Sequence, residues 1–465
     1  MKKVLAMFLA AAMVLSLAAC ASQPAATTAA ATEAATTAAA TAAATTAAAT
    51  EAAATTAAAT EAPAAEKEPV TIETYIIATE WGDAFDDMMA AFQAEYPWIS
   101  FENTNRGGGN SGEYLTAAIA SNTLPDLIPV DNDELHRTMV NDGLLEDFNK
   151  FACAQQIPQS YKDAMTYNGI LMGETYGAAF SCMFYNMAIL KEAGWEKAPE
   201  NWQELIACLK DISEKTDCKQ PFTVAAGKTT TSWMLFELLI ANACGEQLGA
   251  GVYEDAFKNG TFEFNAYPEI VEKFNELQPY FLTGTSAANE DDVTTIMTDG
   301  QAAVCLAGNW NGNAILDGIT EFAGDPSLAV AALPCFNDEG ETRWISATAE
   351  TAMGVTADSN RSAAEEEAID LFVNFFWNHY AIIQNVAGNV PVIPMTDAVL
   401  KEQMTPLVAE MGASPFVTMG FNLWTSEFKD AANRDIQDCI AGLKSMQDAV
   451  DAMTELVKTS YKNKQ

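Results

Sequence analysis

The sequence predicts an α/β fold with a largely parallel sheet. Apolar, strand-like runs at residues 70–78, 99–103 and 124–130 alternate with helix-like segments. The first of those helices, residues 83–96, carries its large apolar side chains on one face. The same alternation returns further along the chain, so we expect the fold to occupy most of residues 70–465.

Local signals predict where these elements begin and end. Asp83 is a helix-capping residue type, and Pro97 ends the helix that follows it. Asn201 and Ser362 are each followed three residues later by a glutamate, which predicts two capping boxes. We expect a helical C-terminal region, and further strands at residues 221–226, 302–307 and 327–333.

The first 19 residues predict a secretory signal peptide. Lys2 and Lys3 precede an apolar run at residues 4–15, which is too short to span a bilayer comfortably. The run leads into Leu17-Ala18-Ala19-Cys20, which resembles the bacterial lipobox. That resemblance implies cleavage before Cys20 and a lipid anchor on it, held firmly if several acyl chains are attached. An ordinary signal-peptidase site with an unmodified Cys20 is the alternative.

A segment of low complexity follows Cys20. Residues 21–69 consist almost wholly of Ala, Thr, Glu and Pro, with near-exact recurrence of TTAAATEA. Such a composition buries too little apolar surface to form a core. As a flexible coil, this stretch of roughly 49 residues spans about 35–42 Å on average. We therefore expect residues 20–69 to be a lipidated cysteine followed by a disordered spacer.

The charge balance excludes some classes of partner. The formal net charge is −39, from 63 acidic and 24 basic residues. A chain this acidic repels phosphate backbones and anionic lipid headgroups, which argues against binding nucleic acid or docking peripherally on a membrane. The charge does not identify a ligand, because most of these side chains are expected on solvated faces.

Eight cysteines besides Cys20 show no CxxC or CxxH spacing. We therefore expect no metal site. Several of the eight lie in apolar runs, where a free cysteine packs as a small hydrophobic residue. The sequence favours mostly free thiols and leaves one or two disulfides open.

Short motifs occur in a fixed order between residues 70 and 394. They are SNTLPDL at 121–127, DGLLED at 142–147, TYG at 175–177, FYN at 184–186, EAGW at 192–195, GQAAVCLAGNW at 300–310 and AGNVP at 387–391. In this order and spacing they resemble family 1 extracellular solute-binding proteins, the class that includes maltose-binding-like proteins. Each motif alone is weak, so their succession carries the resemblance.

The resemblance implies a two-lobe, periplasmic-binding-protein-like fold of type II, with crossing strands between the lobes. We expect lobe 1 to comprise residues 70–180 and about 303–347, and lobe 2 about 181–302 and 348–465. Crossings are then expected near residues 179–183, 302–308 and 346–356. The ligand is expected between the lobes, where hinge closure traps it.

Aromatic rings and hydrogen-bonding side chains are the expected ligand contacts, because sugars stack on rings and their hydroxyls need polar partners. Trp310 lies among glycines and asparagines after a strand, where either a ligand contact or a core position fits. Trp81 lies in the first strand–helix turn. Asp126 is either a hydroxyl acceptor or a turn residue. The full set of candidate ligand-binding residues is Glu80, Trp81, Asn110, Asp126, Tyr185, Trp233, Trp310, Asn313 and Trp344.

The sequence gives little support for a catalytic site or a cofactor site. The loop at residues 107–112 reads GxGxxG, with Asp131 about 20 residues later. A strand and a helix precede it, however, so it is not the first strand–helix turn of a dinucleotide domain. His136 and His379 lie in no metal or nucleophile motif. We therefore expect neither cofactor nor metal nor enzyme activity.

The lipobox and the resemblance to family 1 solute-binding proteins together imply a monomeric lipoprotein on the extracellular face of the bacterial cytoplasmic membrane. The task implied by that resemblance is to capture a sugar or oligosaccharide and deliver it to the permease subunits of an ABC importer. Two alternatives stay open. The same fold would bind a polyamine or quaternary amine in an aromatic cage with an acidic rim, or the chain would be a secreted carbohydrate-active enzyme.

Overall fold

Two α/β lobes, each with its own sheet, make up the protein. The computed structural model describes residues 67–76, 81, 83–105, 111–175, 177–227, 231–349, 351–387, 390–391, 400–419 and 424–460. Each lobe buries its apolar side chains around its own sheet. The predicted α/β class and the two-lobe arrangement are confirmed.

The first lobe is built on a four-stranded sheet. In chain order its first part contains β1 (Val70–Ile76), α1 (Ala84–Glu95), β2 (Ile99–Asn105), α2 (Ser111–Ser121), β3 (Leu127–Val130), α3 (Glu134–Asn141), α4 (Gln159–Met165), β4 (Thr166–Tyr167) and β5 (Ile170–Leu171). β1 lies between β2 and β3 and is parallel to both. The predicted alternation of strand and helix over residues 70–130 is therefore present.

The second lobe is built on a larger, mixed sheet. Its elements are β6 (Gly177–Asn186), α5 (Met187–Glu192), α6 (Trp202–Lys215), β7 (Phe222–Val224), α7 (Thr231–Lys258), α8 (Pro268–Leu277), α9 (Glu290–Thr298), β8 (Val304–Gly308), α10 (Gly312–Ala323), β9 (Ala329–Ala332) and β10 (Ile345–Ala349). β6 is the central strand, antiparallel to β8, β9 and β10, and it is buried along its whole length. Such continuous burial explains its nearly uninterrupted apolar sequence.

The chain then returns to the first lobe. β11 (Ala352–Val355) pairs antiparallel with β3 and completes the first sheet. α11 (Ala363–His379) and α12 (Ala381–Ala387) follow it. Phe372 of α11 packs edge-on against Phe92 and Phe101, which joins this helix to the core of the first lobe.

The last part of the chain belongs to the second lobe. It contains β12 (Val390–Pro391), α13 (Thr405–Ala413), β13 (Phe416–Thr418), α14 (Ser426–Ile440) and α15 (Met446–Ser460). β12 pairs with β6, and β13 pairs with β10. The C-terminal region is thus mainly helical as predicted, with two short strands that the sequence pattern did not indicate.

The chain crosses between the lobes at three places, two of which differ from the prediction. The first lies between Leu171 and β6, the second between Ala349 and Ala352, and the third between α12 and β12. The predicted crossing at residues 346–356 agrees with the second. The one predicted at 302–308 is wrong, because β8 pairs with β6 and β7 inside the second sheet.

The expected division of the chain between lobes needs the same correction. Residues 303–347 were assigned to the first lobe, yet β8, β9 and β10 all pair with β6 in the second. Residues 348–465 were assigned wholly to the second lobe, yet β11 and α11 pack in the first. The cause is strand pairing, which unites segments distant in sequence and leaves no local signal.

Capping at the two predicted sites differs in detail. Ser362 and Glu365 form a complete capping box at the start of α11. At α6 the side chain of Asn201 accepts the N–H of Glu204, but the Glu204 carboxylate accepts the N–H of Glu200 instead. Only half of that predicted box is formed.

The eight cysteines after Cys20 are free thiols, and all except Cys218 are buried. The expectation of mostly free thiols is confirmed. Within the described ranges, no three His, Cys, Asp or Glu side chains are grouped as a metal site would require. The helices found in those ranges include none with the length and apolar character of a membrane span.

Candidate functional site

The ends of the two sheets nearest the crossing segments define an interlobe edge. In the first lobe this is the carboxyl end of β3, since Val130 pairs with Ala352 immediately after the second crossing. In the second lobe, Ala349 pairs with Ala178 at the crossing end of β6. Gly308, the last residue of β8, pairs with Ser181, three residues further along β6. Ligands of open α/β sheets bind beyond the carboxyl ends of strands, so this edge is the place for a site.

Acidic side chains and a histidine follow β3 at the interlobe edge. Asp131 is 3% exposed, and its Oδ1 accepts a 2.9 Å hydrogen bond from Thr351 Oγ1 in the second crossing. Asp131 Oδ2 is buried without a hydrogen-bond partner among the described residues. Asp133, two residues on, is the N-cap of α3 and accepts the N–H of His136 at 3.0 Å. A carboxylate oxygen with unused accepting capacity therefore lies beside the crossing.

His136 is buried between two acceptors. Its Nδ1 lies 2.8 Å from Asp133 Oδ1, and its Nε2 lies 3.1 Å from the carbonyl oxygen of Pro129. Both nitrogens donate only when the ring is protonated. Burial acts to lower the pKa of His136, but the hydrogen bond and charge of Asp133 outweigh it and raise that pKa. Both ring nitrogens of His136 are therefore occupied by contacts within the first lobe, and the ring holds the Asp133 carboxylate in place.

The two carboxyl groups of this cluster have pKa values displaced in opposite directions. Burial raises the pKa of Asp131 to about 6, with the negative charge of Asp133 adding to the effect and His136 opposing it. Burial also acts to raise the pKa of Asp133, but hydrogen bonding and charge from His136 and the charge of Lys429 lower it overall. Asp133 is therefore a fixed anion, while Asp131 takes up or releases a proton close to neutral pH.

In the second lobe, β8 ends in a turn that presents an aromatic ring. Asn309 is buried and holds this turn to β6, since its Nδ2 donates to the carbonyl of Ala178 at 2.9 Å and its Oδ1 accepts from the N–H of Phe180 at 2.8 Å. Trp310 comes next and is half-buried. A Cβ atom at Gly308 would lie 2.3 Å from the Trp310 ring, so glycine is needed for the ring to lie over the backbone.

Glu290 fixes the orientation of the Trp310 ring. Trp310 Nε1 donates to Glu290 Oε1 at 3.2 Å, and Glu290 is the first residue of α9. Burial raises the pKa of Glu290, although hydrogen bonds from Trp310 and Asn311 oppose the rise. A ring face and an adjacent carboxylate are therefore held together on the second lobe's side of the interlobe edge.

Asp126 does not lie at the interlobe edge. It precedes the amino end of β3, accepts the N–H of Glu73 at 2.9 Å, and pairs with Arg361 at 2.9 Å. Its prediction as a ligand contact is therefore wrong, and the alternative structural role applies. The reason is the direction of β3, whose carboxyl end lies at the interlobe edge. Asp126 precedes the amino end of the same strand and therefore lies away from that edge.

Two further aromatic candidates are core residues of the second lobe. Tyr185 is fully buried on β6, where its hydroxyl lies 3.5 Å from Cys335 Sγ. Trp344 is 8% exposed, and its backbone N–H donates to Asn242 Oδ1 at 3.1 Å. β10 runs from Trp344 towards the crossing, so Trp344 lies at its far end. Both predictions as ligand contacts are wrong, because burial within one lobe removes these rings from the interlobe edge.

Asn313 lies at a contact between the lobes. It is 4% exposed, and its Nδ2 donates to the carbonyl oxygen of Val386 in α12 at 3.1 Å. Asn313 belongs to α10 of the second lobe, so this bond crosses to the first lobe beside the third crossing. Its Nδ2 thus joins the lobes, while its Oδ1 is buried without a hydrogen-bond partner among the described residues, and its ligand role stays a prediction.

Trp81 packs in the first lobe's aromatic core. Its ring centroid lies 5.9 Å from that of Phe85 and 6.0 Å from that of Phe376, and the residue is 9% exposed. The indole Nε1 is buried without a partner among the described residues. Trp81 follows β1, so it stays on the interlobe side of the core, and its ligand role stays a prediction.

The remaining predicted residues lie outside what the structure describes. They are Glu80, Asn110, the side chain of Trp233, and the lipidation site Cys20. Their roles stay predictions.

Sequence reasoning missed Asp131, Asp133, Glu290 and Asn309. The available signal for the first two was a pair of aspartates directly after a buried strand, at its carboxyl end. Glu290 had no local signal, because its relation to Trp310 depends on how α9 packs beside β8. Asn309 was visible only as a neighbour of Trp310.

Comparison with known proteins decides the family. The family model for bacterial extracellular solute-binding proteins matches residues 78–379, more than half of the chain. The chain belongs to the bacterial extracellular solute-binding protein family. No curated protein sequence matches this solute-binding protein.

Solved structures share its fold at low sequence identity. A chitin oligosaccharide binding protein is 18% identical with a TM-score of 0.69, covering 85% of this chain and 99% of that one. The solute-binding protein RafE in complex with raffinose is 18% identical with a TM-score of 0.68, covering 84% and 100%. Maltose-bound T. maritima MalE3 is 16% identical with a TM-score of 0.68, covering 84% and 99%. At such identities the likeness concerns the fold.

Proposed function

We propose that this solute-binding protein captures a sugar or oligosaccharide between its lobes and delivers it to the permease subunits of an ABC importer. The observation that carries the proposal is the pairing of Trp310 with Glu290 on the second lobe's side of the interlobe edge. Asp131 on the first lobe's side supplies a second acceptor. The ligand leaves chemically unchanged, so binding and release are the whole task.

The chemistry of these side chains suits a carbohydrate. The Trp310 ring offers a flat apolar face for the C–H surface of a sugar, in the manner of other ring contacts. Buried carboxylate oxygens accept hydrogen bonds from sugar hydroxyls. A ligand that lacks such a hydroxyl leaves the oxygen unpaired and binds much more weakly. Structural neighbours bind chitin oligosaccharide, raffinose and maltose, which supports the same ligand class here.

A cationic solute is the second candidate. Asp131 and Glu290 carry raised pKa values because burial disfavours their charge, and a bound ammonium group would offset that cost. Asp133 already accepts the backbone N–H of His136 and pairs with Lys429. With that carboxylate occupied, a neutral polyhydroxylated ligand fits the remaining groups better than a polyamine.

Secretion and anchoring belong to the same proposal. The signal peptide of residues 1–19 directs export, Cys20 carries lipid, and residues 21–69 space the lobes from the outer face of the cytoplasmic membrane. The partners are then the solute, the permease subunits and the lipid bilayer.

A thermal-shift screen tests the ligand class. The panel contains raffinose, maltose and chitin oligosaccharides on one side, and spermidine and choline on the other. A true ligand at about one hundred times its Kd stabilises the protein by about 2.7 kcal/mol. Stabilisation by a sugar supports the proposal, whereas stabilisation by amines alone would establish the second candidate. Turnover of a sugar by the purified protein would point to an enzyme instead.

Substitution of Trp310 tests the observation that carries the proposal. We expect Trp310→Ala to weaken binding of the sugar identified in the screen by about tenfold or more, because a ring stack and its buried area are lost. Isothermal titration calorimetry measures the change. The matched control is Trp195→Ala, another half-buried indole of the second lobe, whose Nε1 donates to Asp211 at 3.0 Å. Equal affinity losses in both variants would remove Trp310 from the site.

A further inference from the structure

Two consecutive side chains of the first lobe contact the first turn of α14 in the second. Glu134 Oε2 accepts a hydrogen bond from the backbone N–H of Ser426 at 3.0 Å. Lys429 Nζ lies 3.5 Å from Asp133 Oδ2. Asp133 and Glu134 are the N-cap and first residue of α3, and Ser426 is the first residue of α14. The starts of two helices from different lobes are thus joined at the interlobe edge.

Glu134 supplies a hydrogen-bond acceptor for a backbone N–H group at the start of α14. The first N–H groups of a helix have no acceptor within that helix. Thr425 accepts the N–H of Phe428, and Glu134 accepts the N–H of Ser426. A carboxylate at this position is also favoured by the partial positive charge of a helix amino end. The second lobe therefore draws part of its helix cap from the first.

The Lys429 contact is sheltered and well fixed. The side chains of Lys429 and Asp133 are 17% and 10% exposed, so solvent and salt screen their attraction less than that of an exposed pair. The other oxygen of Asp133 accepts the backbone N–H and the Nδ1 of His136. The carboxylate is held in position before Lys429 reaches it, which lowers the entropy cost of the contact.

We propose that Asp133 and Glu134 of the first lobe and Ser426 and Lys429 of the second form an electrostatic clasp, which holds the lobes together in the absence of ligand. The clasp rests on the contact geometry and is independent of the ligand class. Because the clasp stabilises the arrangement in which the two lobes are in contact, it shifts the equilibrium between open and closed forms towards contact before any solute binds. A larger closed fraction slows solute release and raises apparent affinity.

Hydrogen exchange of the ligand-free full-length protein tests the Glu134 contact. The amide of Ser426 is expected to exchange about tenfold faster in Glu134→Ala than in the unsubstituted protein, because a charge-assisted hydrogen bond is lost. Mass spectrometry of the peptide containing residues 424–428 measures this rate. Unchanged exchange at Ser426 would overturn the proposal.

Small-angle X-ray scattering of the same ligand-free protein tests lobe closure. We expect the double variant Glu134→Ala/Lys429→Met to show a larger radius of gyration, and Lys429→Arg with Glu134 intact to retain the original value. Raising the salt concentration from about 0.1 M to about 1 M, where the screening length falls from about 10 Å to about 3 Å, should open the unsubstituted protein in the same direction.

The matched control is Lys458→Met, which removes one positive charge from α15 and breaks pairs with Glu263 and Glu455 inside the second lobe. It should leave both the exchange rate and the radius of gyration unchanged. If the double variant matches this control in radius, the clasp does not hold the lobes. Because no ligand is used, this result is separate from the outcome of the sugar screen.

Discussion

At the scale of single residues, Asp131 lowers the stability of the folded protein and offers an unpaired hydrogen-bond acceptor. Its carboxyl group is buried next to Asp133, so the charged form is disfavoured. Its Oδ2 is nevertheless left without a partner among the described residues. A buried carboxylate oxygen without a hydrogen-bond partner lowers the stability of the ligand-free protein. A ligand hydroxyl that reached this oxygen would supply the missing hydrogen bond.

The pH dependence of stability should reveal this cost. In the unfolded chain Asp131 ionises near its ordinary value of 3.8, whereas in the folded protein its pKa is about 6. Between these values the folded state holds the extra proton, so the contribution of Asp131 to stability falls as pH rises. Above about pH 6 the ionised Asp131 lowers the free energy of unfolding by its full amount. For this difference between the folded and unfolded pKa values, that amount is at most about 3 kcal/mol.

Asp131→Asn imitates the protonated carboxyl group and keeps an oxygen for Thr351. We expect its melting temperature to exceed that of the unsubstituted protein at about pH 7.5, with little difference at about pH 4. Differential scanning calorimetry at both pH values measures this. Asp133→Asn serves as the opposite case, because the pKa of Asp133 is lowered by His136 and Lys429, and that variant should lose stability at neutral pH. A lower melting temperature for Asp131→Asn at neutral pH would contradict this account.

Residue types alone did not separate Asp126 from Asp131. Both flank the same buried strand, and either could serve as an acceptor by its chemistry. The direction of β3 makes Asp126 structural and brings Asp131 to the interlobe edge. Trp310 was predicted as a site residue from its glycine- and amide-rich surroundings, and the structure shows why Gly308 is required beside its ring.

At the scale of elements, Arg361 ties three segments of the first lobe together. Its side chain is 3% exposed and pairs with Asp126 before β3, Glu146 after α3, and Glu366 in α11. It also donates to the carbonyl oxygen of Thr356 at 3.1 Å. This network lies at the amino end of β3, away from the interlobe edge.

Arg361→Met should therefore reduce stability without altering ligand binding. Three carboxylates lose their shared cation, and removal of one partner from a buried pair costs about 3 kcal/mol. We expect a lower urea midpoint and an unchanged Kd for the sugar found in the screen. Lys197→Met is the control and should keep its midpoint, because the side chains of Lys197 and its partner Glu200 are both exposed. A weakened Kd with unchanged stability would show that this network reaches the ligand.

Most elements were predictable because their signals are local. Helical periodicity at residues 83–96, the capping box at Ser362 and the apolar runs at β1, β2 and β3 all follow from neighbouring residues. β12 and β13, of two and three residues, were missed. Strands this short carry no usable periodicity, and pairing with β6 and β10 is what defines them.

At the scale of the whole molecule, the two-lobe plan came from the succession of motifs, whereas the allocation of segments to lobes did not. An apolar run such as residues 304–308 fits either sheet equally well. Its place is fixed by pairing with β6, more than a hundred residues earlier. Such long-range choices leave no trace in local composition, which is why the crossing predicted at residues 302–308 was misplaced.

The membrane anchor is a further property of the whole molecule. We expect Cys20→Ser to abolish lipid attachment and to shift the protein from the membrane fraction to the medium, because no acyl chain then holds it. Cell fractionation followed by immunoblotting measures the shift, with Cys218→Ser as a control that keeps the lipobox intact. Retention of Cys20→Ser in the membrane fraction would count against a lipid anchor.

The position of Val70 has a consequence for how the molecule is mounted. Val70 begins β1, six residues before Ile76 at the strand's other end, and its N–H bonds to the carbonyl of Trp98. The spacer proposed for residues 21–69 would therefore join the first lobe at the end of β1 remote from the interlobe edge. In the proposed mechanism the first lobe would stay beside the anchor while the second lobe closes over the solute.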